Sequence, residues 1–100
     1  NNELIVAVHE DVLAGVMQLT FIPSLTHAGS WRCLIEGVRV AAALRGQRIG
    51  REMIRWAIDR SKERGCRIVQ LTTDKRRPDA LRFYASIGFK ATHEGLKLPI

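Results

Sequence analysis

Apolar positions recur with two different periods along this chain. Leu4 to Val8 is short and apolar, Glu10-Asp11 reads as a turn, and Leu13 to Ile22 is rich in strand formers, so the chain opens as an antiparallel hairpin. Pro23 is expected to end the second strand, because it has no N–H for a ladder. Ser24 to Ser30 is small and polar, as in a loop, and Arg32 to Val40 then alternates in part through Leu34, Val38 and Val40, which predicts a third strand. After Gly46 the period lengthens. Ile49, Met53, Ile54, Trp56, Ala57 and Ile58 recur at helical spacing and are expected to face the core, while Arg51, Arg55, Arg60 and Lys62 fall on the remaining face. Gly65 stands where such a helix would stop.

Arg67 to Thr72 reads as a fourth strand of β-branched and apolar residues. Pro78 opens a second predicted helix that carries Ala80, Leu81, Phe83, Tyr84 and Ile87 inward until Gly88 ends it. A last strand is expected from Phe89 onward, with Leu96 and Leu98 alternating. The predicted order β-β-β-α-β-α-β is that of an α/β or α+β domain. Its sheet is mixed and largely antiparallel, with one strand-helix-strand crossover.

With 100 residues, no linker-like tract and no internal repeat, the sequence reads as a single domain over 1–100. Apolar residues make up 46% and charged residues 26%, a globular balance that argues against disorder. The longest near-apolar stretch, Val38 to Leu44, falls far short of the roughly 20 residues that span a bilayer, so no membrane segment is expected. No secretion leader is read at the N-terminus, and Cys33 and Cys66 are too few for a disulfide scaffold, so a reducing cytoplasm is the expected compartment. The formal charge is +6, and Arg supplies 12 of the 16 cations. Guanidinium favours planar, bidentate oxyanions, which fits a phosphorylated ligand, but a basic surface also suits nucleic acid or simple solubility.

One segment couples charge to backbone geometry. Val40-Ala41-Ala42-Ala43-Leu44-Arg45-Gly46-Gln47-Arg48-Ile49-Gly50-Arg51 places a strand, a short loop and a helix N-terminus in succession. Such a junction presents unpaired N–H groups and the positive end of the helix dipole to an anion such as pyrophosphate. Gly46 and Gly50 permit close approach, and Arg45, Arg48 and Arg51 add charge. A plain strand-to-helix turn with solvated arginines accounts for the same residues equally well.

This segment resembles the pyrophosphate loop Q/R-x-x-G-x-G/A of the GNAT superfamily of acetyl-CoA-dependent N-acetyltransferases, with Arg45-Gly46-Gln47-Arg48-Ile49-Gly50 on the pattern. A second family signature, A-x-x-F-Y-x-x-x-G-F, is met in full by Ala80-Leu81-Arg82-Phe83-Tyr84-Ala85-Ser86-Ile87-Gly88-Phe89. The likeness runs from the hairpin to the closing segment Gly95-Leu96-Lys97-Leu98, and covers the C-terminal two-thirds of such a domain without its usual first strand and helices. Two positions depart from the pattern. Arg48 stands where Gly is usual, so pyrophosphate binding carries over if the local φ is negative, and Arg77 stands seven before the tyrosine where Asn is common.

The resemblance implies acetyl transfer from acetyl-CoA to a primary amine of a small molecule or protein, with a homodimer as one assembly state. Backbone groups of Val38, Arg39 and Val40 would hold the pantetheine arm and polarise the acetyl carbonyl. Residues from Arg45 to Arg51 would hold the pyrophosphate, with Gln47 and Ile49 among them, and Asp79 and Phe83 would add cofactor contacts. Tyr84 would protonate the departing thiolate, which is chemically reasonable because phenol and thiol pKa values lie within about two units. Glu36, an even step from Val38 and Val40, is expected on their face of the strand as the base that takes the amine proton through water. The plainer alternatives are a helix tyrosine packed into the core and a strand glutamate paired with an arginine.

Two other classes compete with the enzyme. The arginine excess would suit a nucleic-acid module, but only 6% of residues are aromatic, and no zinc spacing or helix-turn-helix pair is evident. A non-catalytic module of the same fold that binds coenzyme A or a second subunit is the other. His9, His27 and His93 lack ligand spacing with Cys33 or Cys66, so no metal site is expected, and Cys33 reads as a packing residue.

Overall fold

The computed structural model describes residues 1–23 and 29–100. The expected loop from Ser24 to Ser30 lies, for residues 24–28 and therefore for His27, outside the described residues. Four strands, β1 (Asn2–His9), β2 (Val12–Pro23), β3 (Trp31–Val40) and β4 (Cys66–Gln70), form one sheet in the order β1-β2-β3-β4. The first two pairings are antiparallel and β3 pairs with β4 in parallel. A parallel pair needs a crossover, and here it is the helix α1 (Ile49–Glu63), while α2 (Pro78–Ile87) follows β4.

The sequence reading of these elements holds to within a residue or two at most ends. Glu10 and Asp11 make the β1-β2 turn, both with positive φ, and Pro23 is the last residue of β2. Gly65 follows α1 at φ 78°, and Gly88 follows α2 at φ 120°, where a side chain would be strained. No helix is long and apolar enough to cross a membrane among the described residues.

One face of the sheet is packed by α1. Met17, Leu19 and Phe21 of β2 and Cys33 and Ile35 of β3 meet Ile49, Met53, Ile54 and Ala57, all with little or no exposure. At about 1.5–3 kcal/mol for each large side chain taken from water, this seam supplies most of the driving force for folding. The sole buried polar residue among the described residues, Ser61, donates its hydroxyl to Ala57 O at 2.7 Å. Arg60 forms a forked pair with Glu3 (Nη2 to Oε2 2.6 Å, Nε to Oε1 3.0 Å), and Arg64 reaches Glu3 while stacking on Phe21, 4.2 Å from the ring centre. These contacts tie the end of α1 to the first strand.

Three expectations fail. No strand forms after α2: Leu96 and Leu98 are 92% and 85% exposed, and residues 89–100 add no ladder to the sheet. Alternation says which face a strand would use, but it does not bring the segment alongside a sheet edge such as that of β4, and Pro99 removes one donor. Trp56 is 46% exposed rather than buried, because the helix turns Met53, Ile54 and Ala57 inward and leaves it on the flank beside Ile5 and Ala7 of β1. Leu81 is likewise exposed, since the inward stripe of α2 runs through Ala80, Phe83, Tyr84 and Ile87 and Leu81 lies off it.

Candidate active site

The strand that carries the candidate site changes character halfway along. Gln18 pairs with Glu36 and Val16 with Arg39, so Met17 of β2 faces both Gly37 and Val38. Gly37 has φ 63°, the left-handed conformation that glycine adopts without cost, and the arrangement is a β-bulge. An isolated glycine within a strand pattern is the signal by which sequence could have found it.

The bulge reverses the expected placement of Glu36. Cys33 and Ile35 point into the core before it, and Val38 and Val40 pack against the same core after it. Glu36 therefore projects from the opposite, open face of the sheet and is exposed. An even step in sequence returns to the same face only in a regular strand, and the extra residue breaks that count. Among the described residues Glu36 has no ion pair, so the arginine-paired alternative gains no support.

Beyond Leu34, β3 also loses its neighbour on the β4 side. The parallel ladder covers only Trp31 to Leu34, so from Ile35 to Val40 the strand is bonded to β2 alone. Among the described residues, backbone groups of Val38, Arg39 and Val40 that face away from β2 have no ladder partner and are open to a ligand. The chain then makes a single 3-10 turn, Ala42–Leu44, passes Arg45 and Gly46 (φ 87°) and enters α1.

The start of α1 is open. Its N-cap, Arg48, makes no side-chain cap, so the first N–H groups of the helix have no side-chain acceptor there. Arg48 has φ 64°, so the negative φ on which the loop's likeness was conditional is not met and the backbone here takes the conformation that the usual glycine would take. The tight entry into the helix imposes the left-handed conformation, at a cost of about 1–2 kcal/mol for a residue with a Cβ. Arg45, Gln47 and Arg48 are exposed, Ile49 is buried beneath them, and among the described residues Arg39, Arg45 and Arg48 have no acidic partner. Uncompensated guanidinium groups around open N–H groups and a helix dipole fit a pyrophosphate.

α2 closes the other side of this junction. A Cβ built on Gly50 would lie 3.6 Å from Phe83 Cζ and 3.7 Å from Val40 Cγ2, so the loop, the end of β3 and α2 converge at one point. Arg51 Nη2 donates to Ser86 Oγ at 2.8 Å, a tie between the helices that the sequence reading missed and that no spacing rule would have supplied. Tyr84 is half-buried, its ring edge-on to Phe83 and Phe89 with centres 5.1 and 5.7 Å apart. Burial pushes its phenol above the usual tyrosine range, opposed in part by Arg77, so the hydroxyl holds its proton. Asp79 sits in the first turn of α2, exposed and paired with Arg82. Cys33 and Cys66 are both raised by burial, which keeps them thiols rather than nucleophiles.

This combination of fold and junction has known counterparts. Residues 1–89 match the model of the acetyltransferase (GNAT) family, and the chain belongs to that family. Among curated proteins, the aminoalkylphosphonate N-acetyltransferase of Salmonella typhimurium is 32% identical over 87 residues, which is 87% of this chain and 56% of that enzyme. The chain thus spans little more than half of that relative's length. A crystal structure from Bacillus halodurans, described as a transcriptional regulator, is 61% identical over 100% of this chain and 67% of its own, with a TM-score of 0.96. A Trypanosoma brucei acetyltransferase has 27% identity over 99% of this chain and 69% of its own, with a TM-score of 0.87.

Proposed function

We propose that the chain carries the acetyl-CoA site of an N-acetyltransferase that moves an acetyl group directly to a primary amine. The observation that carries this reading is the convergence of three features. They are the uncapped, arginine-ringed start of α1, the unpaired edge of β3 beside it, and Tyr84 on the adjoining turn of α2. Acetyl-CoA supplies a thioester already activated toward nucleophiles. In this reading the N–H groups from Arg48 to Arg51, with the side chains of Arg45 and Arg48, hold the pyrophosphate, and the free backbone of Val38 to Val40 orients the pantetheine arm.

Transfer then divides between two side chains. Glu36 takes a proton from the acceptor ammonium through water, the neutral amine attacks the carbonyl carbon, and the C–S bond breaks as the tetrahedral oxyanion collapses. Tyr84 delivers its proton to the leaving thiolate, a role suited to a phenol that burial keeps neutral. Asp79 and Phe83 line the cofactor side, Phe83 by contact near Gly50.

Calorimetric titration of the chain with acetyl-CoA tests the proposal. Binding is expected to survive Tyr84→Phe and to disappear in Gly50→Glu, whose side chain would enter the space between Phe83 and Val40. Transfer to an amine is expected to fall about 10²- to 10⁴-fold in Tyr84→Phe. A folded wild-type chain that binds no acetyl-CoA overturns the reading. The description of the Bacillus halodurans protein favours one alternative, nucleic-acid binding by the basic surface. A gel shift that weakens steeply with salt would support that alternative.

A further inference from the structure

β1 is an edge strand without the usual protection of an edge. Among the described residues it pairs only with β2, so one side of its backbone bonds to nothing. Asn1 O accepts from Phe21 N, and by the alternation of an antiparallel ladder Glu3, Ile5 and Ala7 also bond toward β2, while the N–H and C=O groups of Leu4 and Val6 point outward. Such a row of unpaired groups is a template for another strand, and proteins blunt it with Lys, Pro or an inward-pointing charge. Leu4-Ile5-Val6-Ala7-Val8 has none of these.

The side chains agree with the backbone. A strand with one wet face alternates apolar and polar residues, whereas an unbroken apolar run marks a strand covered on both faces. Leu4, Val6 and Val8 lie on one face, each more than half exposed. On the other face, Ile5 and Ala7 floor a groove of about 540 Å³ that Met53 and Trp56 of α1 wall.

The charges at the two ends of the strand select its partner. At the C-terminal end, Glu10 and Asp11 are exposed and have no cationic partner among the described residues. At the N-terminal end, Arg60 takes Glu3 in its fork and adds Glu63, so Arg64 has only a share of Glu3. The Nη2 of Arg64 is left with the neutral amide oxygen of Asn1, at 3.4 Å. In an antiparallel pair of two β1 strands centred on Val6, Leu4 of one copy lies opposite Val8 of the other, and each acidic turn comes alongside the other copy's Arg64. A parallel pair would set like charges together at both ends.

We infer that β1 is the interface of a two-fold dimer, in which the outward edges of two β1 strands pair antiparallel about Val6 and join two four-stranded sheets into one. The contact is isologous, so each favourable pair occurs twice and both β1 edges are closed at once. The two grooves merge into one trough with a Trp56 on either wall. β3 and the proposed acetyl-CoA site lie two strands away, so the inference does not depend on the transferase reading.

Analytical ultracentrifugation and oxidative cross-linking test it. The wild-type chain is expected to show a monomer-dimer equilibrium that weakens with salt. Val6→Lys sets two ammonium groups opposite each other and is expected to raise the dimer Kd at least about tenfold. Val6→Pro removes an N–H that bonds to nothing within one copy, and is expected to act in the same direction. Glu10→Gln combined with Asp11→Asn raises the Kd and flattens its salt dependence. Circular dichroism of each variant reports whether the monomer fold is kept. In a Cys66→Ser background, Val6→Cys is expected to form a disulfide-linked dimer much faster than Leu4→Cys. Paired Val6 positions stand about 5.5 Å apart, within reach of a disulfide, whereas the two copies of Leu4 are offset by about 13 Å along the strand. A wild-type chain that stays monomeric at about 1 mM, the weak end of specific affinities, overturns the inference. A dimer that Val6→Lys leaves as tight as the wild type also overturns it, and so does cross-linking no faster at Val6 than at Leu4.

Discussion

Replacing Gly37 isolates the contribution of one backbone angle to both fold and site. Its φ of 63° lies in the left-handed region, and a Cβ built there meets nothing within 4 Å. Steric clash with neighbours is therefore absent, and the cost of Gly37→Ala is the conformational penalty alone, about 1–2 kcal/mol. For a domain of this size each kcal/mol lowers Tm by about 4–8 °C. Asn tolerates the left-handed region better than Ala, and a β-branched residue tolerates it worse, so the stability order should be Gly, Asn, Ala, Val. Urea denaturation of the four proteins measures the series, with acetyl transfer followed in parallel. Activity should fall along the same order, because the bulge separates the face of Glu36 from that of Val38 and Val40. Equal stability of Gly37 and Gly37→Ala, within the roughly 0.5 kcal/mol of an ordinary surface change, would refute the bulge and the face assignment built on it.

Two other outcomes follow from single contacts. Arg48→Gly relieves the strain at φ 64° and should be more stable than Arg48→Ala by about 1 kcal/mol, while both bind acetyl-CoA more weakly for want of the charge. Equal stability of the two variants in urea would count against the strain. The Arg60 guanidinium holds the Glu3 carboxyl below its usual range. A depressed carboxyl contributes stability above its unfolded pKa of about 4.3 and loses it as pH falls through the folded value, so Glu3→Gln should flatten the acid limb of a pH-stability curve. An unchanged acid limb would show the pair to be inert.

The local elements were legible because each has a short-range cause. Period-two and period-3.6 patterns, Pro23 and Pro78, and the terminating Gly65 and Gly88 act over a few residues, and the paired motifs at Arg45 to Gly50 and Ala80 to Phe89 name the chemistry. Periodicity alone did not determine which apolar residues remain outside. Leu81 and Trp56 sit within about 100° of a buried stripe, and only the packing partner decides on which side of its edge they fall. The predicted last strand failed for a related reason, since hydrogen-bond ladders need a neighbour that no local pattern specifies.

The site divides in the same way. Sequence by itself determined the class of each element up to the end of α2, the arginine-rich helix entry and the candidacy of Tyr84 and Glu36. Only the tertiary structure decided that Glu36 and Val38 lie on opposite faces, that Gly50, Val40 and Phe83 converge, and that Arg51 reaches Ser86 across the two helices. The physical reason is range. Turn chemistry and helix periods are set by bonded neighbours, whereas face parity, burial and hydrogen-bond pairing depend on residues brought together from dozens of positions away.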